Sequence, residues 1–386
     1  MNIQQTDKQY VAGTYNRFPV EIVSGNGSIV KDVNGKEYID MGSGIGVTSF
    51  GICDSVWQQA AISQLMQVQH MSNLYYTRPC AELAKLLCER TGMKKVFFSN
   101  SGAESNECAI KVARKYSAEK KGADCYTVVT LKNSFHGRTL TTLAATGQEH
   151  YHELFTPLTP GFTSINAGEI NELYELAKTV KIAAVMIECI QGEGGVIAID
   201  PEFAKKVQSF CSENDVPLIV DEVQTGNGRT GKMYAYMNYG LTPDIVSTAK
   251  GLAGGLPLGA TLLGAKVENV LGFGDHGSTF GGNPVCCAAA LSIVKRLDDA
   301  MLDEVRRKGE YIRQRLNGAK GVISVSGMGL MVGIETEKPA GQLVKELIEQ
   351  GVLCLTAKQK LRLLPALNIP MDVLEKAVNI IINQCA

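Results

Sequence analysis

The sequence predicts an α/β protein built around a large, mostly parallel sheet. Between residues 96 and 265, short apolar runs alternate with stretches of helical periodicity, as in proteins whose parallel strands are joined by crossover helices. The apolar runs read KVFFSN, CYTVVTL, AAVMIECI, PLIVDEV, DIVSTAK and ATLLGA. A smaller α/β region is predicted nearer the end of the chain, where GVISVSG, LMVGIET and VLCLT accompany a helix near 340–350.

The segments outside this alternation predict the domain organisation. Residues 20–40 carry two glycine-containing turn signals between alternating runs and predict a small antiparallel unit. Helical patterns lie at about 54–69 and 79–91, and a long one at about 284–317. A chain of 386 residues is expected to form two domains. We expect a large domain from residues 49–283, and a small domain from residues 1–48 and 284–386 together.

Composition favours a cytoplasmic enzyme that acts on small molecules. Basic and acidic residues number 38 and 39, so no net charge favours binding to nucleic acid or an anionic membrane. The first twenty residues lack the apolar core of a signal peptide, and no apolar run is long enough to span a bilayer. Eleven cysteines without CxxC spacing predict reduced thiols rather than disulfides or a zinc site. We therefore expect no metal, no nucleic-acid partner and no membrane partner.

An acid and an amine each follow a predicted buried strand. The run ending at Val220 is followed by Asp221, and the run after Asp244 ends on Lys250 and a glycine. Ligands of open α/β sheets bind at the carboxyl ends of the strands. The pair suits pyridoxal 5′-phosphate (PLP), because the lysine can form a Schiff base and the acid can keep the pyridine nitrogen protonated. Taken singly, either residue would more often be a solvated loop residue.

The segment FFSNSGAESNECAIKVARKYS predicts a strand, a turn of small residues and an amphipathic helix. Ser101, Gly102 and Ala103 lie at the predicted helix start, where free N–H groups and the helix dipole favour a phosphate. An ordinary serine cap is the alternative for this segment by itself. The glycine-rich GNGRTGKM resembles a nucleotide-binding loop, but Met233 stands where Ser or Thr should bind magnesium, so nucleotide hydrolysis is disfavoured.

Two further loops supply candidate site residues. In NSFHGRTLTT, Phe135 can stack on a planar ring, Arg138 can grip a carboxylate, and His136 is either a neighbour of the ring or a structural hydrogen-bonding group. A core Phe and a surface Arg are the alternatives. In VMIECIQGEGGV, one of the acids Glu188 and Glu193 is expected in the cleft and the other in a structural role. A glycosidase pair is disfavoured because no aromatic sugar-binding cluster surrounds them.

Seven ordered blocks resemble the class III (subgroup II) PLP-dependent aminotransferases along nearly the whole chain. The blocks are NSGAESNE, SFHGRT, ECIQGEGG, VDEVQTGNGRTGK, DIVSTAKGLAGGLPLGA, HGSTFGGNP and LRLLPAL. The resemblance implies the PLP-dependent transferase fold type I, bound PLP, and a homodimer with shared active sites. The sequence departs from the family pattern in two places, GICDSV at 51–56 and Cys189. We expect these departures to change packing rather than activity.

The resemblance assigns cofactor roles residue by residue. Lys250 would hold the cofactor and move the proton, Asp221 would pair with the ring nitrogen, and Gln224 would approach the ring hydroxyl. Thr279 would reach the phosphate across the dimer interface. The full set implied to bind the cofactor is Ser101, Gly102, Ala103, Phe135, His136, Asp221, Glu222, Val223, Gln224, Lys250 and Thr279.

The substrate side is likewise implied by the resemblance. Arg138 and Arg362 would bind the carboxylates of the amino donor and of 2-oxoglutarate. Glu193 would act with Lys250 and Asp221 as a catalytic residue, neutralising Arg362 while the amino donor is bound. The remaining residues implied to lie near the substrate are Tyr15 and Ser278.

The amino donor is expected to be an ω-amine with an acylated second nitrogen. Ile45 stands where ornithine-specific members of the family carry a tyrosine that contacts a free α-amino group. The implied reaction is transamination of N2-acetyl-L-ornithine with 2-oxoglutarate, giving N-acetyl-L-glutamate 5-semialdehyde and L-glutamate in arginine biosynthesis. Succinylornithine, 4-aminobutyrate and other ω-amines remain alternatives.

Overall fold

A computed structural model describes residues 2–386 of the chain and shows a seven-stranded central sheet. Only the strand Gly259–Leu263 runs antiparallel to its neighbours in this sheet, so the prediction of a mostly parallel sheet is confirmed. In spatial order the strands are Lys95–Ser99, Gly259–Leu263, Ile245–Thr248, Leu218–Asp221, Ile182–Ile187, Thr127–Leu131 and Phe162–Ile165.

The central strands are buried on both faces, which explains their unbroken apolar sequences. Met186 and Ile219 pack in one hydrophobic core, with the helix Gly102–Lys121. Val185 and Val220 point to the opposite face and belong to the larger core. Alternation of side chains along each strand therefore supplies two separate cores from one sheet.

Besides the single turn Ser43–Gly46, eleven α-helices surround the sheets in the part of the chain from residue 2 to residue 386. They are Ile3–Tyr10, Ser55–Leu65, Arg78–Thr91, Gly102–Lys121, Leu140–Ala145, Ile170–Ala177, Pro201–Glu213, Pro284–Val294, Asp299–Leu316, Ala340–Glu349 and Met371–Cys385. Across those same residues, we find no helix with the length and apolarity that a bilayer crossing requires.

Both ends of the chain contribute to the smaller sheets. Val352–Leu353 lies parallel to Glu37–Asp40, beside the hairpin of Ile22–Asn26 and Ile29–Asp32. A third sheet consists of Val322–Met328, Met331–Thr336, Lys360–Leu363 and Leu355–Ala357, and a two-stranded sheet of Ile190–Gln191 and Ile197–Ala198. The pairing of Val352 with Ile39 joins the two ends of the chain in one sheet, and the division at 48/49 and 283/284 stays a prediction.

Two predicted elements are divided in the structure. The helical stretch at 284–317 forms two helices, because Asp298 caps the second one by accepting a hydrogen bond from the Met301 N–H (2.9 Å). The run VLCLT contributes to two different sheets, since Val352–Leu353 pairs with the N-terminal sheet and Leu355–Ala357 with Lys360–Leu363. A polar cap therefore divides the predicted helix, and a change of strand pairing divides the predicted strand.

Candidate active site

A cavity of about 590 Å³ lies where the carboxyl ends of the central strands meet the loops that follow them. It is the location expected for a ligand site in an open α/β sheet. Most of the predicted site residues line it: Tyr15, Ser101, Gly102, Ala103, Phe135, His136, Arg138, Asp221, Val223, Gln224 and Lys250. Five predicted residues lie outside the lining: Glu193, Glu222, Ser278, Thr279 and Arg362.

Asp221 is buried at the end of its strand and held by three donors. Its Oδ2 accepts from Asn106 Nδ2 (2.7 Å) and from His136 Nδ1 (2.8 Å), and its Oδ1 accepts from the Val223 N–H (3.0 Å). Because a carboxylate only accepts, His136 Nδ1 carries the proton. His136 Nε2 is buried and has no partner within residues 2–386. The Asp221 side chain is thus fixed in orientation where it lines the cavity.

Lys250 follows the strand Ile245–Thr248 in a left-handed backbone conformation, with φ of 46°. A lysine rarely adopts this region, and such strain is common at functional sites. Burial lowers the pKa of the Lys250 amine below its ordinary value, and the charge of Arg362 lowers it further, while Glu193 and Asp221 oppose the shift. A larger share of the amine is therefore neutral and nucleophilic at neutral pH than in an exposed lysine.

The start of the helix Gly102–Lys121 faces the same cavity. Ser101 caps it, since its Oγ accepts a hydrogen bond from the Glu104 N–H (3.2 Å). A Cβ at Gly102 would meet a methyl carbon of Val223 at 2.6 Å, so only glycine allows the loop after Asp221 to pack there. The free N–H groups of this first turn and the helix dipole favour an anion such as a phosphate.

Glu193, Gln224 and Arg362 form a hydrogen-bonded triangle beside the cavity. Arg362 Nη1 donates to Glu193 Oε1 (2.5 Å) and to Gln224 Oε1 (3.0 Å), and Gln224 Nε2 donates to Glu193 Oε1 (3.3 Å). Burial raises the pKa of the Glu193 carboxyl, but the charge and hydrogen bond of Arg362 outweigh this and leave it below its ordinary value. Arg362 is buried and Glu193 is partly buried, and Gln224 connects this ion pair to the cavity wall.

The cavity lining includes residues that were not assigned to the site from the sequence, among them Asn106 and Glu188. Asn106 lies on the buried side of its helix and donates to Asp221, and a polar residue on an apolar helix face is the signal that could have found it. Glu188 was recognised at its strand end but not placed in the cleft, and it lines the cavity. Its Oε2 accepts from the Phe135 N–H (2.9 Å), and burial together with the charge of Asp221 raises its pKa well above the ordinary value.

The predicted residues outside the lining have other contacts in this chain. The buried Glu222 carboxylate accepts from Thr225 Oγ1 (2.6 Å) and from the Tyr236 N–H (2.7 Å), so it holds the following loop rather than facing the cavity. Ser278 Oγ accepts from Asn100 Nδ2 (3.1 Å), which places it next to a lining residue. Thr279 is exposed beside it.

The geometry defines a class of protein, and the comparisons agree with it. PLP has three groups that a protein must hold: a ring nitrogen, an aldehyde and a phosphate. Around this cavity, Asp221 suits the ring nitrogen, Lys250 the aldehyde, and the helix start at Gly102 the phosphate. The model of the aminotransferase class-III family matches residues 10–385, and the chain belongs to this family. Class-III aminotransferases use PLP.

Individual relatives cover nearly the whole chain. It is similar to the acetylornithine aminotransferase of Haemophilus ducreyi, with 50% identity over 98% of this chain and 97% of the relative. The acetylornithine aminotransferase of Methanocaldococcus jannaschii is 43% identical over 97% and 95% of the two chains. Among solved structures, an ornithine aminotransferase from Toxoplasma gondii, with PLP at partial occupancy in its active site, superposes with a TM-score of 0.94 at 33% identity over 99% and 93% of the two chains. An acetylornithine aminotransferase from Elizabethkingia anophelis gives 0.89 at 32% identity over 99% and 97%.

Proposed function

We propose that this protein transfers the δ-amino group of N2-acetyl-L-ornithine to 2-oxoglutarate, giving N-acetyl-L-glutamate 5-semialdehyde and L-glutamate. The near full-length identity of up to 50% to acetylornithine aminotransferases supports this choice of donor most strongly. In the cell the reaction would serve arginine biosynthesis.

Each step requires a group that this chain supplies. PLP, when bound, supplies an aldehyde for the transferred amino group and a ring that withdraws electrons from the reacting carbon. Lys250 would attach the cofactor and then move the proton between the substrate carbon and the cofactor. Asp221, oriented by Asn106 and His136, would keep the ring nitrogen protonated. The first turn of the helix beginning at Gly102 would bind the phosphate, and Phe135 would stack against the ring.

Two arginines would bind the carboxylates of substrates that occupy one site in turn. Arg138 lines the cavity, and Arg362 lies behind Gln224 in a pair with Glu193. While the amino donor is bound, Glu193 would neutralise Arg362. When 2-oxoglutarate enters, its second charged group would replace Glu193. An arginine that stayed buried and unpaired in either half of the cycle would cost several kcal/mol, which is the physical reason for an acid that can move.

The entrance of the cavity supports an acylated donor. Tyr15 and Val47 line it, and Ile45 lies two residues before Val47 in a left-handed turn, with φ of 65°. These side chains offer no carboxylate to a free α-ammonium group, and an acetylated nitrogen carries no charge that would need one. A strained, β-branched residue at this position is consistent with selection for the substrate rather than for stability.

We also propose a homodimer in which Thr279 reaches the partner's phosphate site. Large apolar side chains are exposed in the segment 66–76 and at Phe280. Asn73 fixes this segment to the loop of Thr279, because its Nδ2 donates to the carbonyl groups of Ser278 (2.9 Å) and Gly281 (2.9 Å). An exposed apolar patch of this kind is typical of an interface between subunits.

A cytoplasmic location fits the cysteines. All eleven are free thiols, and most are buried. Reduced thiols without a disulfide framework are typical of a reducing compartment.

A donor panel tests the proposed reaction. The purified protein, supplied with PLP and 2-oxoglutarate, is assayed for glutamate formation with N-acetylornithine, N-succinylornithine, ornithine and 4-aminobutyrate at equal concentrations. We expect the highest kcat/KM with N-acetylornithine and the lowest values with ornithine or 4-aminobutyrate. Preference for 4-aminobutyrate would keep the class of reaction and overturn the donor. No glutamate formation with any donor would overturn the proposal.

A further inference from the structure

We propose that Tyr151, a residue outside the cavity lining, positions Arg138 for binding a substrate carboxylate. This inference rests on the proposed function, in which Arg138 is one of two carboxylate-binding arginines.

The Arg138 guanidinium lies over two aromatic rings. Its central carbon is 4.4 Å from the centre of the Tyr151 ring and 5.5 Å from that of Phe135. Within residues 2–386, Arg138 forms no ion pair. An arginine with an acidic neighbour would be neutralised before a substrate arrived, whereas an aromatic face attracts the cation and leaves its N–H groups free to donate.

Tyr151 is itself held on two sides. Its ring meets Phe135 edge-on at 5.6 Å, and the imidazole of His150 lies 3.9 Å away. The edge-on arrangement with Phe135 is a favourable one for an aromatic pair. One ring therefore contacts both the arginine that would bind the substrate and the phenylalanine that would stack on the cofactor.

The backbone ties this turn to the loop that carries Arg138. The Tyr151 N–H donates to the Gln148 carbonyl (3.1 Å), and Gln148 Nε2 donates to the Ser134 carbonyl (3.1 Å). The Gly147 N–H in turn donates to Ser134 Oγ (3.1 Å). Tyr151 and Arg138 are thus fixed to the same loop, so the ring can restrict the rotamers of the guanidinium without touching the substrate.

A double-mutant cycle tests the inference. The variants are Tyr151→Leu, Arg138→Ala and the double variant, with kcat and KM measured for N-acetylornithine and 2-oxoglutarate. Binding of glutarate, a dicarboxylate that cannot react, is measured by calorimetry as a second readout. We expect Tyr151→Leu to raise KM for the substrate that Arg138 binds, and to weaken glutarate binding, by about 3- to 30-fold. The kcat should change by less than about threefold, and Tyr151→Leu should add nothing in the Arg138→Ala background.

Controls separate positioning from packing. Tyr151→Phe keeps the ring and should restore KM, whereas Tyr151→Met keeps a long apolar side chain without the aromatic face and should behave like Tyr151→Leu. Tyr311 lies under Arg315 at 5.7 Å on the helix Asp299–Leu316, so Tyr311→Leu removes a similar contact outside the cavity and should leave KM unchanged. An equal effect of Tyr151→Leu with and without Arg138, or full function of Tyr151→Met, would overturn the inference. If the unmodified protein fails to use N-acetylornithine, the proposed donor fails, while glutarate binding still tests Tyr151.

Discussion

Arg362 Nη1 lies 2.5 Å from Glu193 Oε1, although 169 residues separate the two along the chain. Arg362 belongs to the C-terminal sheet, and Glu193 to the turn between the short strands that follow the central sheet. The contact therefore exists only when the C-terminal part of the chain packs on the central sheet. Gln224 bonds to both partners and lines the cavity, so the ion pair can respond to what the cavity contains.

Glu193→Gln should change the balance between the two substrates. It removes the charge that neutralises Arg362, while an amide can still occupy the same space. We expect KM for 2-oxoglutarate to fall and KM for the amino donor to rise, with the ratio shifting by about 10- to 100-fold, the value of a hydrogen bond to a charged group. Steady-state kinetics for each substrate measure this. Glu175→Gln is the matched control, because it breaks a 2.6 Å pair with Lys178 on the surface. Equal changes in both KM values would contradict a role for Glu193 in neutralising Arg362 only while the amino donor is bound.

Asp221→Asn should lower turnover without preventing cofactor binding. The amide keeps the shape but loses the negative charge that three donors now orient. We expect kcat to fall by about 10²- to 10⁴-fold, the usual contribution of a group that controls protonation in the transition state. Comparison of PLP content with kcat in the purified variant measures this, and a variant with full PLP content and normal kcat would show that Asp221 has no electronic role.

The lowered pKa of Lys250 should govern how fast the apoprotein takes up PLP. Only the neutral amine can attack the aldehyde, so the rate should rise with pH and reach its midpoint below the ordinary lysine value of 10.5. Glu193 raises this pKa and Arg362 lowers it. Glu193→Gln should therefore move the midpoint to lower pH, and Arg362→Gln to higher pH. Stopped-flow absorbance of PLP attached to Lys250 measures the midpoints, and shifts in the same direction for both variants would contradict the electrostatic account.

Glu222 should make the fold less stable as pH rises. Burial raises the pKa of its carboxyl from 4.5 to about 7. Because the folded-state pKa is raised, this contribution to stability is fully present below pH 4.5 and is lost as the pH rises to about 7. The loss is up to about 3 kcal/mol, since each pKa unit is worth about 1.4 kcal/mol. Glu222→Gln should flatten the pH dependence of the unfolding free energy in that range, and the exposed Glu349→Gln should not. If the unfolding free energy of the two variants depended on pH in the same way, a contribution from Glu222 would be contradicted.

The parts of the site that the sequence predicts are those that local pattern controls. Asp221 ends a buried strand, Lys250 follows one, and the helix after Ser101 has its cap and its small residues in sequence, so each could be placed without knowing the fold. The same reasoning predicted the central sheet, because a strand buried on both faces has to be apolar throughout.

The parts that the sequence does not predict depend on contacts between distant segments. Tyr151 lies in a loop with no periodic pattern, and its importance appears only when Arg138 is seen above its ring. Glu222 follows Asp221 directly, yet the two carboxylates point to opposite environments, because alternate residues of an extended segment face opposite sides. The roles of Glu193 and Arg362 were implied by resemblance alone, and no local pattern connects them.

The most direct test of the central claim is a visible absorption spectrum of the purified protein with PLP bound, recorded before and after N-acetylornithine is added and again after 2-oxoglutarate. A Schiff base between Lys250 and PLP absorbs in the visible range, and transfer of the amino group to the cofactor removes that band. We predict that N-acetylornithine bleaches the band and 2-oxoglutarate restores it, while Lys250→Ala shows no such band at the start. A protein that binds PLP through Lys250 but keeps its band with N-acetylornithine would contradict the proposed donor. A protein with no band after PLP is supplied would contradict the site itself.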